Sequence, residues 1–177
     1  MTVQHGKLGD ESRGAAAIRA ATPDDLRAIV EIYNDVIETS STIWSESLTT
    51  IDERLDWLQE KASAGYPVLV AKDHGVLGFI ATGPFRPWPG YAKTSEHSIQ
   101  VHRDARNRGV GGLLLDAAEQ ALRSQGIHVM VAGIDAENHG SIRFHARAGF
   151  SEVARMPEVG FLRGEWRDLV LVQKRLA

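Results

Sequence analysis

The sequence predicts a single α+β domain, with α/β-type layers, in which helices cover the faces of a β-sheet. Segments with apolar residues at helical spacing are interleaved with segments in which apolar and polar residues alternate. No repeat, low-complexity tract or linker interrupts residues 17 to 177. The 177 residues are close to the roughly 150 of a typical domain, which leaves no room for a second full domain.

The amino-terminal third predicts a strand followed by two helices. A short apolar run over residues 17 to 20 is typical of a strand. Thr22 and the Pro23-Asp24-Asp25 segment then supply a cap, a first-turn proline and two first-turn acids. Apolar residues follow at helical spacing, namely Leu26, Ile29, Val30, Tyr33 and Ile37. A second helix is predicted by the capping box that Thr50 and Glu53 form.

The rest of the chain predicts mostly sheet, with two more helices. Two β-rich runs meet at a His74-Gly75 turn, as in a hairpin, and the alternating segment SEHSIQVH forms the next strand. A helix over residues 113 to 125 leads into a buried strand over residues 127 to 135. The segment SIRFHARA predicts a short helix ended by a glycine, and the runs 150 to 156 and 166 to 172 predict two last strands.

Composition excludes several classes of function. With 20 Lys+Arg against 23 Asp+Glu, the net charge of -3 does not provide the basic surface that nucleic acid requires, and no membrane-spanning stretch is expected. Because cysteine is absent, disulfides, thiolate zinc sites and cysteine nucleophiles are excluded. His97 and His102 are five apart and would face opposite sides of a strand, and HExxH is absent, so we expect no metal site.

The first sixteen residues are polar and contain no apolar run that could serve as the core of a secretory signal. We therefore expect residues 1 to 16 to be a flexible extension, residues 17 to 177 to be the folded domain, and the protein to be cytoplasmic. The alternative is that the extension is ordered against a partner subunit.

A glycine-rich turn between a strand and a helix is the most informative motif. Backbone N–H groups and the helix dipole in such a turn can hold a pyrophosphate, and glycine lets the main chain approach it. The turn fits neither the dinucleotide fingerprint nor the P-loop. The alternative is an ordinary turn that contains glycine for conformational reasons. The residues assigned to this turn are Asn107, Arg108, Gly109, Val110, Gly111 and Gly112.

The same segment, RNRGVG, resembles the R/Q-x-x-G-x-G loop of the Gcn5-related N-acetyltransferases, the GNAT superfamily. The pattern Asn138-x-x-Ser141-x-x-x-His145-x-x-x-Gly149-Phe150 is similar to their second cofactor motif. TSEHSIQVH, HVMVAGID and MPEVGF resemble the branch of phosphinothricin and methionine sulfoximine/sulfone N-acetyltransferases. The resemblance implies the GNAT fold, with a mixed, largely antiparallel sheet between helices, acetyl-CoA as co-substrate, and a homodimer.

Acetyl transfer to a protonated amine requires a base, and Glu96 stands just ahead of the strand expected to hold the pantetheine arm. The resemblance also places the catalytic acid there, whereas an exposed edge carboxylate is the alternative. It implies an auxiliary role for His145, as general acid or hydrogen-bond donor; otherwise His145 is a satisfied structural histidine. Cofactor contacts are implied for Ile99, Gln100, Val101 and Asn138.

An acceptor that carries a carboxylate needs a positive, planar partner, which Arg86 supplies unless it is only a solvated loop charge. Trp44 lies in a polar loop and either folds onto the core or lines a pocket. The segment from Met156 to Phe161 is expected to be a loop that contributes to the active site of the neighbouring subunit. The acceptor site is expected to contain Arg86, Pro87, Trp88, Glu96, His97 and Ser98.

The sequence thus predicts an enzyme that transfers acetyl directly from acetyl-CoA to the α-amino group of a small amino-acid analogue. Two alternatives stay open at this point. The acceptor could be a different amine, such as a protein N-terminus, a polyamine or an antibiotic. The chain could also be an acyl-CoA sensor without turnover, which would require that the base be missing.

Overall fold

The computed structural model describes residues 16 to 176, and within them seven strands form one sheet in the order β1-β2-β3-β4-β5-β7-β6. All neighbours pair antiparallel except β4 and β5, which are parallel. The strands are β1 Ala17–Ala20, β2 Val68–Asp73, β3 Gly75–Pro84, β4 Thr94–Val101, β5 Val129–Asp135, β6 Ser151–Leu162 and β7 Glu165–Arg175. The predicted α+β class is confirmed. The predicted extension lies outside the described residues, apart from Ala16.

Four helices within the described residues pack on the two faces of the sheet: α1 Leu26–Thr39, α2 Ile51–Ser63, α3 Val110–Ser124 and α4 His139–Arg147. None of the helices in this range has the length and apolar character needed to cross a membrane. On one face, α1 and α2 bury Val70 and Phe79 of the sheet. On the other, α3 buries Ile80, Met130 and Val172. We call these the α1/α2 face and the α3 face.

The start of α1 differs in detail from the prediction. Pro23–Asp25 is a short 3-10 turn, and the α-helix begins at Leu26. The buried stripe includes Ile32 and Val36. Val30 and Tyr33 lie at its margin and are only half-buried, and the Arg54 guanidinium lies over the Tyr33 ring, 3.7 Å from its centre.

The most important feature of the sheet is the separation of β4 from β5. Their pairing covers only Thr94–Glu96 against Val129–Val131. Beyond this point β4 continues along β3, and β5 continues along β7 as far as Asp135. A cleft therefore opens between the two strands directly after Glu96.

The open edge of β4 exposes backbone hydrogen-bonding groups to this cleft. The His102 amide donates to the Leu77 carbonyl on the β3 side. Peptide groups of successive strand residues point to opposite edges, so those of Ile99 and Val101 face the cleft. Part of the Val101 carbonyl's capacity is used by Arg106, whose Nε donates to it at 3.4 Å.

The last two strands are longer than predicted. The segment from Met156 to Phe161 was expected to be a loop, but it belongs to β6, which runs from Ser151 to Leu162 with register shifts after Glu152 and Met156. The two shifts interrupt the alternation of apolar and polar residues, which is why the sequence pattern ended early. Arg163 and Gly164 close the hairpin, both with positive φ.

The cap of α2 is a direct test of how local sequence sets this fold. The Thr50 hydroxyl accepts from the Glu53 amide, and the Glu53 carboxylate accepts from the Thr50 amide at 2.8 Å. We expect Thr50→Ala to lower the free energy of unfolding by about 1 kcal/mol, since the cap oxygen is lost. Urea denaturation measures this, and Thr50→Ser, which retains the hydroxyl, is the control. Equal losses in both variants would contradict the role of the cap.

Candidate active site

A groove of about 980 Å³ runs along the open edge of β4 to the amino-terminal end of α3 and on to α4. At α3, Gly109 is the cap residue with φ 80°, and Asn107 also has positive φ at 60°. This left-handed geometry turns the chain sharply into the helix, so that amide groups at the helix start face the groove. The arrangement suits a phosphate or pyrophosphate group.

The structure brings most of the predicted cofactor residues together in the groove. Arg108 is the exception: it is exposed and does not line the groove. The predicted residues that do line it are Ile99, Gln100, Val101, Asn107, Gly109, Val110, Gly111, Gly112 and Asn138.

Three arginines also line the groove: Arg106 is the first residue of the RNRGVG motif, whereas Arg143 and Arg147 were not assigned to the site from the sequence. Arg106 comes from the turn, and Arg143 and Arg147 come from α4. Arg143 and Arg147 are four residues apart and therefore lie on one side of the helix. The sequence shows this spacing, but only the structure shows that this side faces the groove. Arg103 is not available in the same way, because it is paired with Asp35 of α1.

Asn138 links the groove to the loop after α1. Its Oδ1 accepts from the Ser141 amide at 3.0 Å and caps α4, while its Nδ2 donates to the Thr42 hydroxyl at 3.2 Å. One side chain thus fixes both the start of α4 and the loop across the groove from it.

The cleft between β4 and β5 joins the groove and contains a small cavity of about 60 Å³. On one side it is lined by β4 residues from His97 to Gln100, and on the other by β5 residues from Ala132 to Asp135. Since the groove suits the phosphate end of a cofactor, the cleft is where its reactive end would lie.

Glu96 lies at the start of the cleft and reaches across it toward β5. Its Oε1 lies 3.6 Å from the position that a Cβ on Gly133 would occupy. The side chain is half-buried, and burial raises the pKa of its carboxyl, while Arg86 and then Lys61 act in the opposite direction through their positive charges. The carboxylate is thereby placed where a base for a cleft-bound amine would be needed.

His97 and His145 lie on the α3 face, opposite to Glu96. Both are almost fully buried, and their Nε2 atoms are 3.1 Å apart. The His145 Nδ1 lies 2.8 Å from the Ser141 carbonyl oxygen, which can only accept, so Nδ1 carries a proton. The neutral His145 ring then accepts at Nε2, and His97 is the donor.

Burial holds both rings neutral. It lowers the pKa of His97 from 6.5 to about 3, with His145 adding to the effect, and it also lowers the pKa of His145. His97 Nδ1 has no hydrogen-bond partner among residues 16 to 176. The backbone carbonyl of Val131 acts to raise the His97 pKa, but its position relative to the ring does not meet the geometry of a hydrogen bond.

The predicted acceptor residues are not all on the same side of the sheet. The register of β4 with β3 places Glu96 and Ser98 on the α1/α2 face and His97 on the other. His97 therefore contacts the cleft from the side opposite to Glu96. Arg86, Pro87 and Trp88 lie in the exposed β3–β4 loop, with Trp88 70% exposed.

Trp44 is half-buried and connects the loop after α1 to the cleft. Its Nε1 donates to the Asp135 carboxylate at 3.1 Å, and its ring lies against Gly160 of β6, where only a glycine leaves room. Trp44 therefore closes one end of the cleft. It both packs onto the folded domain and lines the cleft, so it combines the two roles that the sequence left open. Among residues 16 to 176 no cluster of three or more His, Asp or Glu side chains could hold a metal ion.

This geometry agrees with the comparison to known protein families. The acetyltransferase (GNAT) family matches residues 29–150, which include the cleft, the glycine-rich turn and α4. The chain belongs to the GNAT acetyltransferase family. The site is therefore that of an acetyltransferase, and acetyl-CoA is the acetyl donor used by this family.

Relatives of this acetyltransferase include enzymes of amino-acid analogues. It is 42% identical to the L-methionine sulfoximine/L-methionine sulfone acetyltransferase of Pseudomonas aeruginosa, over 92% of this chain and 95% of that protein. Identity to the phosphinothricin N-acetyltransferase of Streptomyces coelicolor is 31%, with 90% and 95% covered. The Sinorhizobium meliloti phosphinothricin acetyltransferase, solved in complex with acetyl-CoA, superposes with a TM-score of 0.88 at 30% identity, covering 93% and 90%.

The buried His97 makes stability depend on pH. Because its pKa is lowered from 6.5 to about 3, the unfolded chain binds a proton between these pH values that the folded protein does not. Stability should therefore fall as pH falls through this range. At pH 5 the loss from this group is about 2 kcal/mol relative to pH 7.

Urea unfolding at pH 7 and pH 5 measures this effect. His97→Gln retains a donor for His145 but cannot be protonated, so we expect its stability to fall by about 2 kcal/mol less than that of the wild type. His128→Gln, at an exposed position, is the matched control and should behave as the wild type does. A His97→Gln variant that lost as much stability as the wild type would contradict a neutral buried His97.

Proposed function

We propose that this acetyltransferase transfers acetyl from acetyl-CoA to the α-amino group of small amino-acid analogues of the methionine sulfone, methionine sulfoximine or phosphinothricin type. The observation that carries the proposal is the position of Glu96, a carboxylate at the mouth of the cleft, close enough to Arg86 and Lys61 for their charges to act on its pKa. The names and coverage of the relatives support the substrate class.

Acetyl-CoA would bind along the groove. Its pyrophosphate would lie at the start of α3, where helix amides and the dipole favour negative charge, with Arg106, Arg143 and Arg147 nearby. The pantetheine arm would lie along the open edge of β4, and the thioester would enter the cleft. Peptide groups of Ile99 and Val101 are then available to it, which is a role for main-chain atoms.

The amine reaches the thioester as an ammonium and must first lose a proton. Glu96 accepts it, directly or through one water. The free amine lone pair attacks the thioester carbonyl carbon and forms the C–N bond, the C–S bond breaks, and the departing thiolate takes the second proton that the nitrogen loses on becoming an amide. Backbone N–H groups at the open edge of β4 stabilise the oxyanion of the tetrahedral intermediate. The sequence contains no cysteine to form an acetyl-thioester on the enzyme, which supports direct transfer.

His145 has an auxiliary role in this scheme. It is neutral, and its Nδ1 proton is used by the Ser141 carbonyl. Acting as an acid would require it to gain a proton against its lowered pKa. Its contribution is therefore to hold His97 and shape the cleft wall, and the thiolate, with a pKa of about 8.5, can leave without it.

We also propose that the enzyme is a cytoplasmic homodimer that joins through β6. Apolar side chains that are 40% or more exposed are concentrated on this edge hairpin, where Phe161 and Trp166 pack edge to face with 5.0 Å between ring centres. The exposed set is Val153, Met156, Val159, Phe161 and Trp166. A monomer in sedimentation velocity at micromolar concentration would contradict the dimer.

A panel of amines with thiol release as readout tests the proposed function. We expect methionine sulfone, methionine sulfoximine and phosphinothricin to be acetylated far faster than polyamines, aminoglycosides or peptides with a free amino terminus. Faster turnover of any of these other amines would move the protein to a different acceptor class. If no amine releases thiol although acetyl-CoA binds, the protein is a sensor and not an enzyme.

Replacing the base should affect turnover and not donor binding. We expect Glu96→Gln to lower kcat by a factor of about 100 or more, because the amine then stays protonated. The dissociation constant of acetyl-CoA should change less than about twofold, since Glu96 does not line the groove. Steady-state kinetics and calorimetry measure the two quantities, and Glu31→Gln, at an exposed site on α1, is the control. Equal losses of turnover and acetyl-CoA binding would remove Glu96 from the role of base.

The acid side of the pH profile should report the same carboxylate. Burial raises the pKa of Glu96 above 4.5, so kcat/KM should decline with falling pH earlier than an ordinary glutamate would require. Arg86 is the stronger of the two charges that oppose this shift. In Arg86→Gln the acid limb should therefore move to higher pH, whatever happens to the maximum. A limb that moves to lower pH would show that another group is titrating.

A further inference from the structure

Lys61 of α2 is a half-buried lysine on the α1/α2 face, and nothing described so far gives it a role in binding. Its ammonium lies against Gly83 of β3, at the position where a Cβ would stand. Gly83 is the residue directly opposite Glu96 in the register of β3 and β4. The missing side chain of Gly83 is thus what makes room for the ammonium.

The register also gives a distance. Side chains directly opposite each other in an antiparallel pair have Cβ atoms about 5 Å apart. Because the Lys61 Nζ lies beside the place where the Gly83 Cβ would stand, it is within about 8 Å of the Cβ of Glu96. A group bound beside the Glu96 carboxylate would be within hydrogen-bonding reach of this ammonium.

The Lys61 ammonium differs from that of another partly buried lysine, which is held in an ion pair. Lys174, with a side chain 22% exposed, is neutralised by Glu119 at 2.6 Å. Lys61 has no ion pair within 4.0 Å and no hydrogen bond to any residue from 16 to 176, and its other neighbour is the Tyr66 ring, 5.8 Å from Nζ to the centre. Burial lowers the pKa of Lys61, and the charges of Glu60 and Glu96 oppose this only in part. A bound anion would compensate for the remaining cost of the desolvated charge.

We propose that Lys61 binds the α-carboxylate of the acceptor and thereby holds the adjacent α-amino group against Glu96. The inference rests on the proposed function, since it concerns the acceptor of the same reaction. In an amino acid the carboxylate and the amino group share one carbon, so the cation that binds the first must lie close to the base that serves the second. Lys61 meets this requirement, and Arg86, on an exposed loop, is left to contact the far end of the acceptor.

The test compares two acceptors in three proteins. The acceptors are methionine sulfone and the amine that remains when its carboxylate is removed. The proteins are the wild type, Lys61→Met, which keeps the length but removes the charge, and Lys72→Met, an exposed lysine on β2 that serves as the matched control. Thiol release gives kcat and KM for each combination.

We expect Lys61→Met to raise KM for methionine sulfone by about 10- to 100-fold, as loss of a charge-assisted hydrogen bond requires. KM for the decarboxylated amine should change less than about threefold, since it has no carboxylate to lose. Lys72→Met should behave as the wild type does. An unchanged KM for methionine sulfone in Lys61→Met, or an equal rise for both acceptors, would overturn the proposal.

Gly83→Ala is the second variant and does not depend on the stability of Lys61→Met. The added methyl group displaces the flexible end of Lys61 while the charge is retained. We expect the same selective rise in KM for methionine sulfone, and an increase shared equally by both acceptors would again overturn the proposal. Failure of the proposed function is a separate outcome, because then the wild type itself would not acetylate methionine sulfone.

Discussion

The separation of β4 from β5 is the constraint on which the rest of the site depends. After Glu96 and Val131 the two parallel strands no longer pair, because β5 continues along β7 and β4 along β3. One edge of β4 keeps its peptide groups free for a ligand, and the cleft passes between the two faces of the sheet. Glu96, the glycine-rich turn and α4 are all arranged around this opening. A sheet paired along its whole length would offer a surface but no site.

The buried titratable groups on the two sides of the cleft differ in whether they can carry a charge. On one side burial acts against the charge of Glu96, but Lys61 and Arg86 partly restore it, which leaves a carboxylate with a raised pKa. On the other side burial lowers the pKa values of His97 and His145, with His145 adding to the effect on His97, and both rings remain neutral. Desolvation is the first cause in all three groups, and the neighbouring charges decide which of them can still ionise. The side with the cations suits an anionic acceptor, and the neutral side suits an uncharged thioester.

The signals that the sequence showed clearly were local ones. Helix caps, glycine turns and alternation depend on residues a few positions apart, so α2, the β2–β3 hairpin and the turn before α3 could be located without the fold. The Glu96 assignment came from its place just ahead of the strand expected to hold the pantetheine arm and from the family resemblance. The interpretation was less successful where a strand is irregular, as in β6, or where a side chain's direction mattered, as for His97, whose ring points away from the face that carries Glu96.

The sequence by itself determined the fold class, the family resemblance and the position of the glycine-rich turn, because each of these is encoded in short-range patterns. Only the tertiary structure decided which charges meet at the site. Arg103 forms an ion pair with Asp35, and two arginines of α4 line the groove. Lys61 lies near Glu96, in the space left by a glycine on the neighbouring strand. These partners are tens of residues apart in the chain, and their contacts depend on how helices pack on a twisted sheet. Strand register and helix orientation are set by the core as a whole, and for that reason local patterns could not specify them.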